Sequence, residues 1–161
     1  MGRFDDLDID AMVLDDLDEV LVVEARALKG AWSRVHFVEE LESPLGACYV
    51  ARGPERRGSP VLGFAVVRVV GDECEVLTIA VDPRFRRRGV GRALLERALA
   101  DAARRGARKA HLEVRASNHA ARGLYLLLGF SERGLRPRYY AHPVEDALLM
   151  TADLAAHSPA P

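Results

Sequence analysis

The sequence predicts an α/β domain built on a mixed sheet with helices on both faces. Three observations lead there. The hydrophobic period alternates along the chain between two and about 3.6, giving the order β-α-α-β-β-β-α-β-α-β-β. Two hairpins flank a strand-helix-strand crossover, and a crossover of that kind joins parallel strands inside an otherwise antiparallel sheet. The length of 161 residues and an apolar content of 49% fit one packed core.

The elements follow in order. Residues 10–14 (DAMVL) read as a short strand. Residues 15–30 read as a helix, with Leu17, Val20, Leu21 and Leu28 on one stripe, aspartates at its start and Gly30 past its end. Ser33 caps a second short helix carrying Phe37 and Leu41, which Pro44 closes. Residues 46–52 (GACYVAR) form a strand, and 53–60 form a loop on composition. Residues 61–70 and 73–81 are apolar, β-branched strands joined by Gly71-Asp72, a strong hairpin signal, and Asp82-Pro83 stops the second.

A helix from about Arg92 to Arg105 sets Leu95, Leu99 and Ala102 against Glu96, Arg97 and Asp101, with Gly106 as its terminator. Residues 109–116 alternate Ala110, Leu112 and Val114 with His111, Glu113 and Arg115, a strand with two unlike faces. Ser117-Asn118 caps a helix that Gly129 ends, with Leu124, Leu127 and Leu128 as its packing face. Residues 130–140 and 145–154 supply the last two strands around a tyrosine-rich loop. One domain spans residues 1–154, and the small, Pro-rich segment 155–161 reads as a flexible tail.

Composition excludes several classes. The net charge of −1 argues against a protein that coats nucleic acid with its whole surface. Cys48 and Cys74 form no CxxC pair and read as buried thiols. The five histidines show no ligand spacing, so no metal is expected. Nothing resembles a signal peptide or a membrane-length apolar run, which reads as cytoplasmic.

The most informative stretch is DPRFRRRGVGRALLERAL, Asp82 to Leu99. Five arginines lie between Arg84 and Arg92, with Gly89 and Gly91 among them, between a buried strand and an amphipathic helix. Cations at a helix start oppose the helix dipole, so a bound anion is expected to offset them. The first N–H groups of a helix have no internal partner, and glycines let an anion reach them. A phosphate or pyrophosphate is the natural guest. Neither GxxxxGK[ST] nor GxGxxG is present, since Leu94 stands where the third glycine belongs, which argues against a triphosphatase or a dinucleotide dehydrogenase.

Arg87 to Ala93, RRGVGRA, matches the Q/RxxGxG/A acyl-CoA signature of the GNAT N-acetyltransferases, and the element order resembles their fold. LTIAVDP, GRALLE, LEVRASN, LYLLLGF and RYY with EDALLM resemble more closely the bacterial ribosomal-protein-alanine N-acetyltransferases of RimI type. The resemblance covers residues 10 to 154. It implies the GNAT fold, an α+β sandwich with a mostly antiparallel sheet of about seven strands. It implies acetyl-CoA as co-substrate, with the pyrophosphate on the N–H groups of Arg87, Arg88, Gly89, Val90, Gly91 and Arg92. The pantetheine arm is then expected along Ile79, Ala80 and Val81. Asn118 is expected to bond the cofactor as well as cap its helix.

Acetyl transfer needs a neutral amine. An α-amino group (pKa about 7.7–8.0) costs ~3.4 kcal/mol less to deprotonate than a lysine (about 10.4). A carboxylate base is then sufficient. By the resemblance Glu113 is that base, and Glu75 is the runner-up or a group that binds the amine. Tyr125 is the expected acid toward the departing thiolate. Direct attack in a ternary complex is expected, with no acetyl-cysteine. Tyr139 and Tyr140, with Arg138, are candidates to pin a peptide backbone, and Trp32 to contact substrate from the loop between the first two helices. Gly123 interrupts the helix carrying Tyr125, and either admits the cofactor or loosens the tyrosine.

Three functions stay open at this point. The first is acetylation of the N-terminus of an alanine-starting ribosomal protein. The second is acetylation of a small-molecule amine or a protein lysine. The third is a non-catalytic acyl-CoA-binding or RNA-binding module. RNA is disfavoured because Phe85 is the only aromatic among the arginines.

Overall fold

The computed structural model describes residues 6–54 and 58–157. Seven strands form one sheet in the order β1-β2-β3-β4-β5-β7-β6. They are β1 (Asp8–Ala11), β2 (Gly46–Arg52), β3 (Val61–Val70), β4 (Glu73–Val81), β5 (Lys109–Arg115), β6 (Ser131–Ala141) and β7 (Val144–Asp153). The helices are α1 (Leu17–Leu28), α2 (Arg34–Glu42), α3 (Val90–Arg104) and α4 (His119–Leu127). Only β4 and β5 pair in parallel, as the crossover through α3 requires. The predicted order of elements and the mixed, mostly antiparallel sheet are both present.

Two cores sandwich the sheet. On one face Leu94, Leu95 and Leu99 of α3 and Tyr125 of α4 pack on Ala65, Val67, Leu112 and Met150. On the other, Leu17, Val20 and Val23 of α1 and Phe37 of α2 pack on Val50, Phe64 and Val66. Each such fully buried large side chain contributes about 1.5–3 kcal/mol.

Three boundaries differ from the sequence reading. β1 lies earlier than residues 10–14, because of that segment's apolar residues only Met12 enters the core, while Val13 and Leu14 face solvent. Leu14–Asp16 form a 3₁₀ turn instead. α3 starts at Val90, not near Arg92: Val90 is buried, and Gly89 precedes it at φ +87°. On α4, Leu127 is exposed and Leu124, Tyr125 and Leu128 turn inward, the i, i+1, i+4 stripe of a helix. At the C-terminus Leu154–His157 make a 3₁₀ turn with Leu154 buried; residues 158–161 lie outside the described residues.

The feature that makes a site is a splay between β4 and β5. Their pairing runs from Glu73–Lys109 to Glu75–His111 and stops, although β4 continues to Val81 and β5 to Arg115. The register of β4 on β3 jumps at the same place, from Val67–Val76 to Val66–Thr78, so Leu77 is an extra, bulged residue. A bulge bends its strand and reverses the faces that follow. Cys74 and Val76 belong to the α3 face before it; Ile79 and Val81 pack against that face after it. β4 bends away from β5 and leaves one edge of Ile79, Ala80 and Val81 without a strand neighbour.

Candidate active site

A cleft of about 700 Å³ passes through the sheet at this splay. Ala27 and Leu28 of α1 form one wall, and Gly91, Leu124 and Tyr125 form the other. Ile79, Ala80 and Val81 line it along the open edge of β4, while their other edge pairs with Ala65, Phe64 and Gly63 of β3. An extended amide-bearing arm can pair with such an edge as an added strand.

The arginine-glycine loop forms the mouth. Arg87 has φ +62° and Gly89 φ +87°, so the chain turns twice through the left-handed region before α3. Successive N–H groups in such a loop form an anion-binding concavity. No side chain caps α3, and its first i to i−4 bond runs from Ala93 N–H to the Gly89 carbonyl. The N–H groups of Val90, Gly91 and Arg92 precede that bond and carry the positive end of the dipole. Arg87, Gly89, Val90, Gly91 and Arg92 all line the cleft; Arg88 lies outside its lining. A Cβ on Gly91 would stand 3.3 Å from Leu124 Cδ2 and 3.5 Å from Val81 Cγ2, so a side chain here would narrow the cleft between α3 and α4. An uncapped helix start, a left-handed loop and the guanidiniums of Arg86 and Arg87, with Arg92 paired to Glu96 at 2.8 Å beside them, together fit a diphosphate.

Asn118 caps α4 by accepting from Ala121 N–H at 3.1 Å, and it also lines the cleft. The cap sets the helix so that Tyr125, two turns on, faces inward. Its ring lies 5.7 Å from that of Phe130. Burial, and then the neighbouring Tyr140, push the Tyr125 phenol up to about 12, so it is a neutral donor at physiological pH. A Cβ on Gly123 would meet nothing within 4 Å, so this glycine makes no close approach within the protein.

Glu113 projects from the opposite face of β5 to the buried Leu112 and Val114. It lines a second cavity, of about 390 Å³, together with Glu75 and His111. Arg136 Nε stands 3.4 Å from Glu113 Oε1, and the nearby Glu113 carboxylate raises the Tyr139 pKa. Tyr140 packs edge-on to Tyr139 at 5.2 Å; burial and then Glu113 raise its pKa too. Candidate base and candidate acid therefore lie on opposite sides of the sheet. The tyrosine pair lies between them: Glu113 perturbs Tyr139, and Tyr140 perturbs Tyr125.

Trp32 lies apart from this constellation. Its indole packs on Phe37 at 5.1 Å, its N–H backbone donates to Glu24, and it lines neither cavity. Cys48 and Cys74 are buried, and burial pushes their thiols up to about 12 and 11, which leaves little thiolate to attack a thioester. Among the described residues no group of His, Cys, Asp or Glu could hold a metal, and no helix is long and apolar enough to cross a membrane.

Several residues of the candidate site carry little or no signal in the sequence. In the sequence Asp82 reads only as a strand stop. It is 1% exposed and accepts bonds from Arg26, from the Arg84 side chain and from the Arg84 N–H, fixing the turn before the arginine loop. The available signal was an acid at the end of a buried strand, directly before a run of arginines. Ala27 and Leu28 enter the cleft wall with no sequence signal, because their stripe looks like ordinary core.

The comparisons agree with this geometry. The model of the "Acetyltransferase (GNAT) family" matches residues 15–130. The [ribosomal protein bS18]-alanine N-acetyltransferase of Escherichia coli (strain K12) is 38% identical over 149 residues, 91% of this chain and 97% of that protein. The N-alpha-acetyltransferase RimI of Mycobacterium tuberculosis is 39% identical over 151 residues, 90% and 91% of the two chains. The crystal structure of the Escherichia coli ribosomal-protein-S18-alanine N-acetyltransferase superposes with a TM-score of 0.83 at 34% identity, over 97% of each chain.

Proposed function

The chain belongs to the acetyltransferase (GNAT) family and is an acetyl-CoA-dependent N-acetyltransferase, and from that premise we propose that its substrate is the N-terminal alanine of ribosomal protein bS18. The relatives that span nearly the whole chain carry that activity in their names. The single observation that carries the reading is the cleft at the β4–β5 splay, with an anion mouth and Tyr125 in its lining, while Glu113 lines a second cavity from the opposite face of β5.

Acetyl-CoA supplies the activated acyl carbon as a thioester. The loop from Arg87 to Arg92 and the start of α3 hold its diphosphate, with Asn118 beside them. The β4 edge at Ile79–Val81 aligns the arm. Glu113 takes the proton of the α-ammonium, directly or through one water. The amine nitrogen then bonds to the acyl carbon, the C–S bond breaks and Tyr125 gives its proton to the leaving sulfur; the second proton lost by the nitrogen passes through water to restore Tyr125, and Glu113 releases its proton to solvent. Tyr139 and Tyr140 hold the peptide, and Glu75 meets its charge. A ribosomal-protein substrate places the reaction in the cytoplasm.

The test is an acetylation assay with an alanine-starting peptide of the bS18 N-terminus, the same peptide with a blocked N-terminus and an internal lysine, and a panel of small amines. The free peptide is expected to give the highest kcat/KM. Preference for the small amines or the blocked peptide would reject the substrate and leave the family intact.

A further inference from the structure

β6 is exposed at every residue but one. Of Ser131–Ala141 only Tyr140 is half-buried. The strand is also irregular here: its register on β7 jumps between Arg136–Ala147 and Tyr140–Glu145, and Arg138 has φ +53°. An exposed, bulged edge strand has little of its own packing to hold its tip in place. Yet this tip carries Tyr139 and Tyr140.

What covers Tyr140 is Arg115, the last residue of β5. Its guanidinium carbon stands 4.2 Å from the centre of the Tyr140 ring. Nη1 donates to the Pro143 carbonyl at 3.1 Å and Nη2 to the His142 carbonyl at 3.4 Å. One side chain thus holds both the ring and the turn that follows it. The next residues add further ties. Ala116 N–H donates to the Asp146 carbonyl at 3.1 Å. The Ser117 hydroxyl donates to Glu145, with its oxygen 2.5 and 2.8 Å from the two carboxylate oxygens, and the Ser117 N–H donates at 3.2 Å. Asp146 in turn accepts the Arg138 N–H at 2.9 Å. Residues 115–118 lead directly into Asn118 and α4, the wall of the cofactor cleft.

We propose that Arg115 is a positioning residue which, acting through Tyr140, fixes the peptide-side hairpin against the cofactor side of the site. This rests on the reading that the peptide lies between Glu113 and the Tyr139–Tyr140 pair. The geometry asks for arginine in particular. A planar guanidinium can lay its face on a ring while its edge donates to two adjacent carbonyls. An ammonium can stack or reach one carbonyl, but lacks the fork.

The test uses the full-length protein and R115M, R115K, Y140L and the double variant R115M/Y140L. R115M is expected to raise the peptide KM at least tenfold while the acetyl-CoA Kd, by calorimetry, stays within twofold. R115K is expected to fall between R115M and the parent. The double variant is expected to be no worse than the worse single, because the two residues act as one unit. Amide hydrogen exchange supplies a readout that does not depend on the substrate: exchange across residues 138–146 is expected to rise about tenfold or more in R115M and to stay unchanged in β2 and β3. An unchanged peptide KM, multiplicative effects in the double variant, or unchanged exchange at 138–146 each overturns the proposal. If the parent protein binds acetyl-CoA but ignores the peptide, the substrate reading is what fails, and the exchange comparison alone decides the role of Arg115.

Discussion

Arg26 of α1 and Asp82 at the end of β4 meet at 2.9 Å, 56 residues apart in sequence, and the contact ties a helix on one face of the sheet to the loop that starts α3 on the other. Arg84 joins from the loop itself, through Nη2 at 3.0 Å and its N–H at 3.0 Å. The Arg84 side chain is thereby tied to Asp82, while Arg86, Arg87 and Arg92 line the cleft.

The first prediction concerns this clamp. Hydrogen bonds from Arg84, opposed by burial, hold the Asp82 carboxyl down at about 2. Its folded pKa is below the unfolded value. The stability it contributes is therefore present above about pH 4 and is lost as pH falls through about 2. That contribution is on the order of 2 kcal/mol, and D82N removes it. Both arginines remain about half-exposed and can rehydrate, so no buried charge is stranded. D82N is expected to lower the Tm by about 4–8 °C at pH 7 and to flatten the pH dependence between 2 and 4, as thermal melts over pH 2–7 can check.

The second prediction concerns the mouth. Gly89 sits at φ +87°, where a Cβ costs about 1–2 kcal/mol. Relief of that strain in G89A would rotate the first N–H groups of α3 away from a common point. Calorimetry is expected to show acetyl-CoA binding weakened about tenfold or more, with the fold retained by circular dichroism. Unchanged affinity would mean the anion is held by guanidiniums alone.

How much of this was legible in the sequence depends on which forces carry it. The alternation in residues 109–116 placed Glu113 on the face away from Leu112, because side-chain period two is a local property. The arginine-glycine loop stood out as a candidate anion site because a run of cations at a helix start needs an external reason. The splay was not. Residues 73–81 keep an unbroken apolar pattern, and the extra residue at Leu77 appears only against its partner β3. The start of α3 was misplaced by two residues because the arginines masked a first turn whose one apolar residue, Val90, is fully buried. The role of Arg115 was equally hidden, since its partners lie 25 to 28 residues away on a hairpin the sequence leaves free.

The third prediction concerns Tyr125. Burial raises its pKa to about 12, above the unfolded value near 10. The phenol stays protonated in the folded enzyme, and the stability linked to that proton is lost only as pH rises from about 10 through 12. Its ionisation should therefore not limit the rate below about pH 10. Y125F is expected to lower kcat about 10²–10⁴-fold with the acetyl-CoA Kd little changed. Stopped-flow turnover from pH 6 to 10 is expected to rise with the substrate amine and show no falling limb in the parent protein.

A fourth prediction separates packing from function on α4. A Cβ at Gly123 meets nothing within 4 Å, and the residue is helical. G123A is expected to stabilise the protein by about 1 kcal/mol through helix propensity alone. An accompanying loss of acetyl-CoA affinity would assign Gly123 to cofactor contact; unchanged affinity would leave it only as a source of looseness near Tyr125.

The last prediction decides between the two carboxylates. Glu75 and Glu113 line the same cavity, so position in the cavity does not distinguish them. Their surroundings do. Glu75 is exposed at the last paired residue of β4, opposite His111. Glu113 is half-buried two residues beyond that pair, where the strands have already parted, and it is paired with Arg136. A base must keep a fixed line to the attacking nitrogen, which favours the held carboxylate. A group that only attracts the ammonium needs charge and access, which Glu75 has. E113Q is expected to lower kcat by about 10²–10⁴-fold with a small change in peptide KM. E75Q is expected to raise the peptide KM up to about tenfold with kcat nearly unchanged. Steady-state kinetics of both variants on one alanine-starting peptide gives the answer, and a kcat loss confined to E75Q would exchange the two roles.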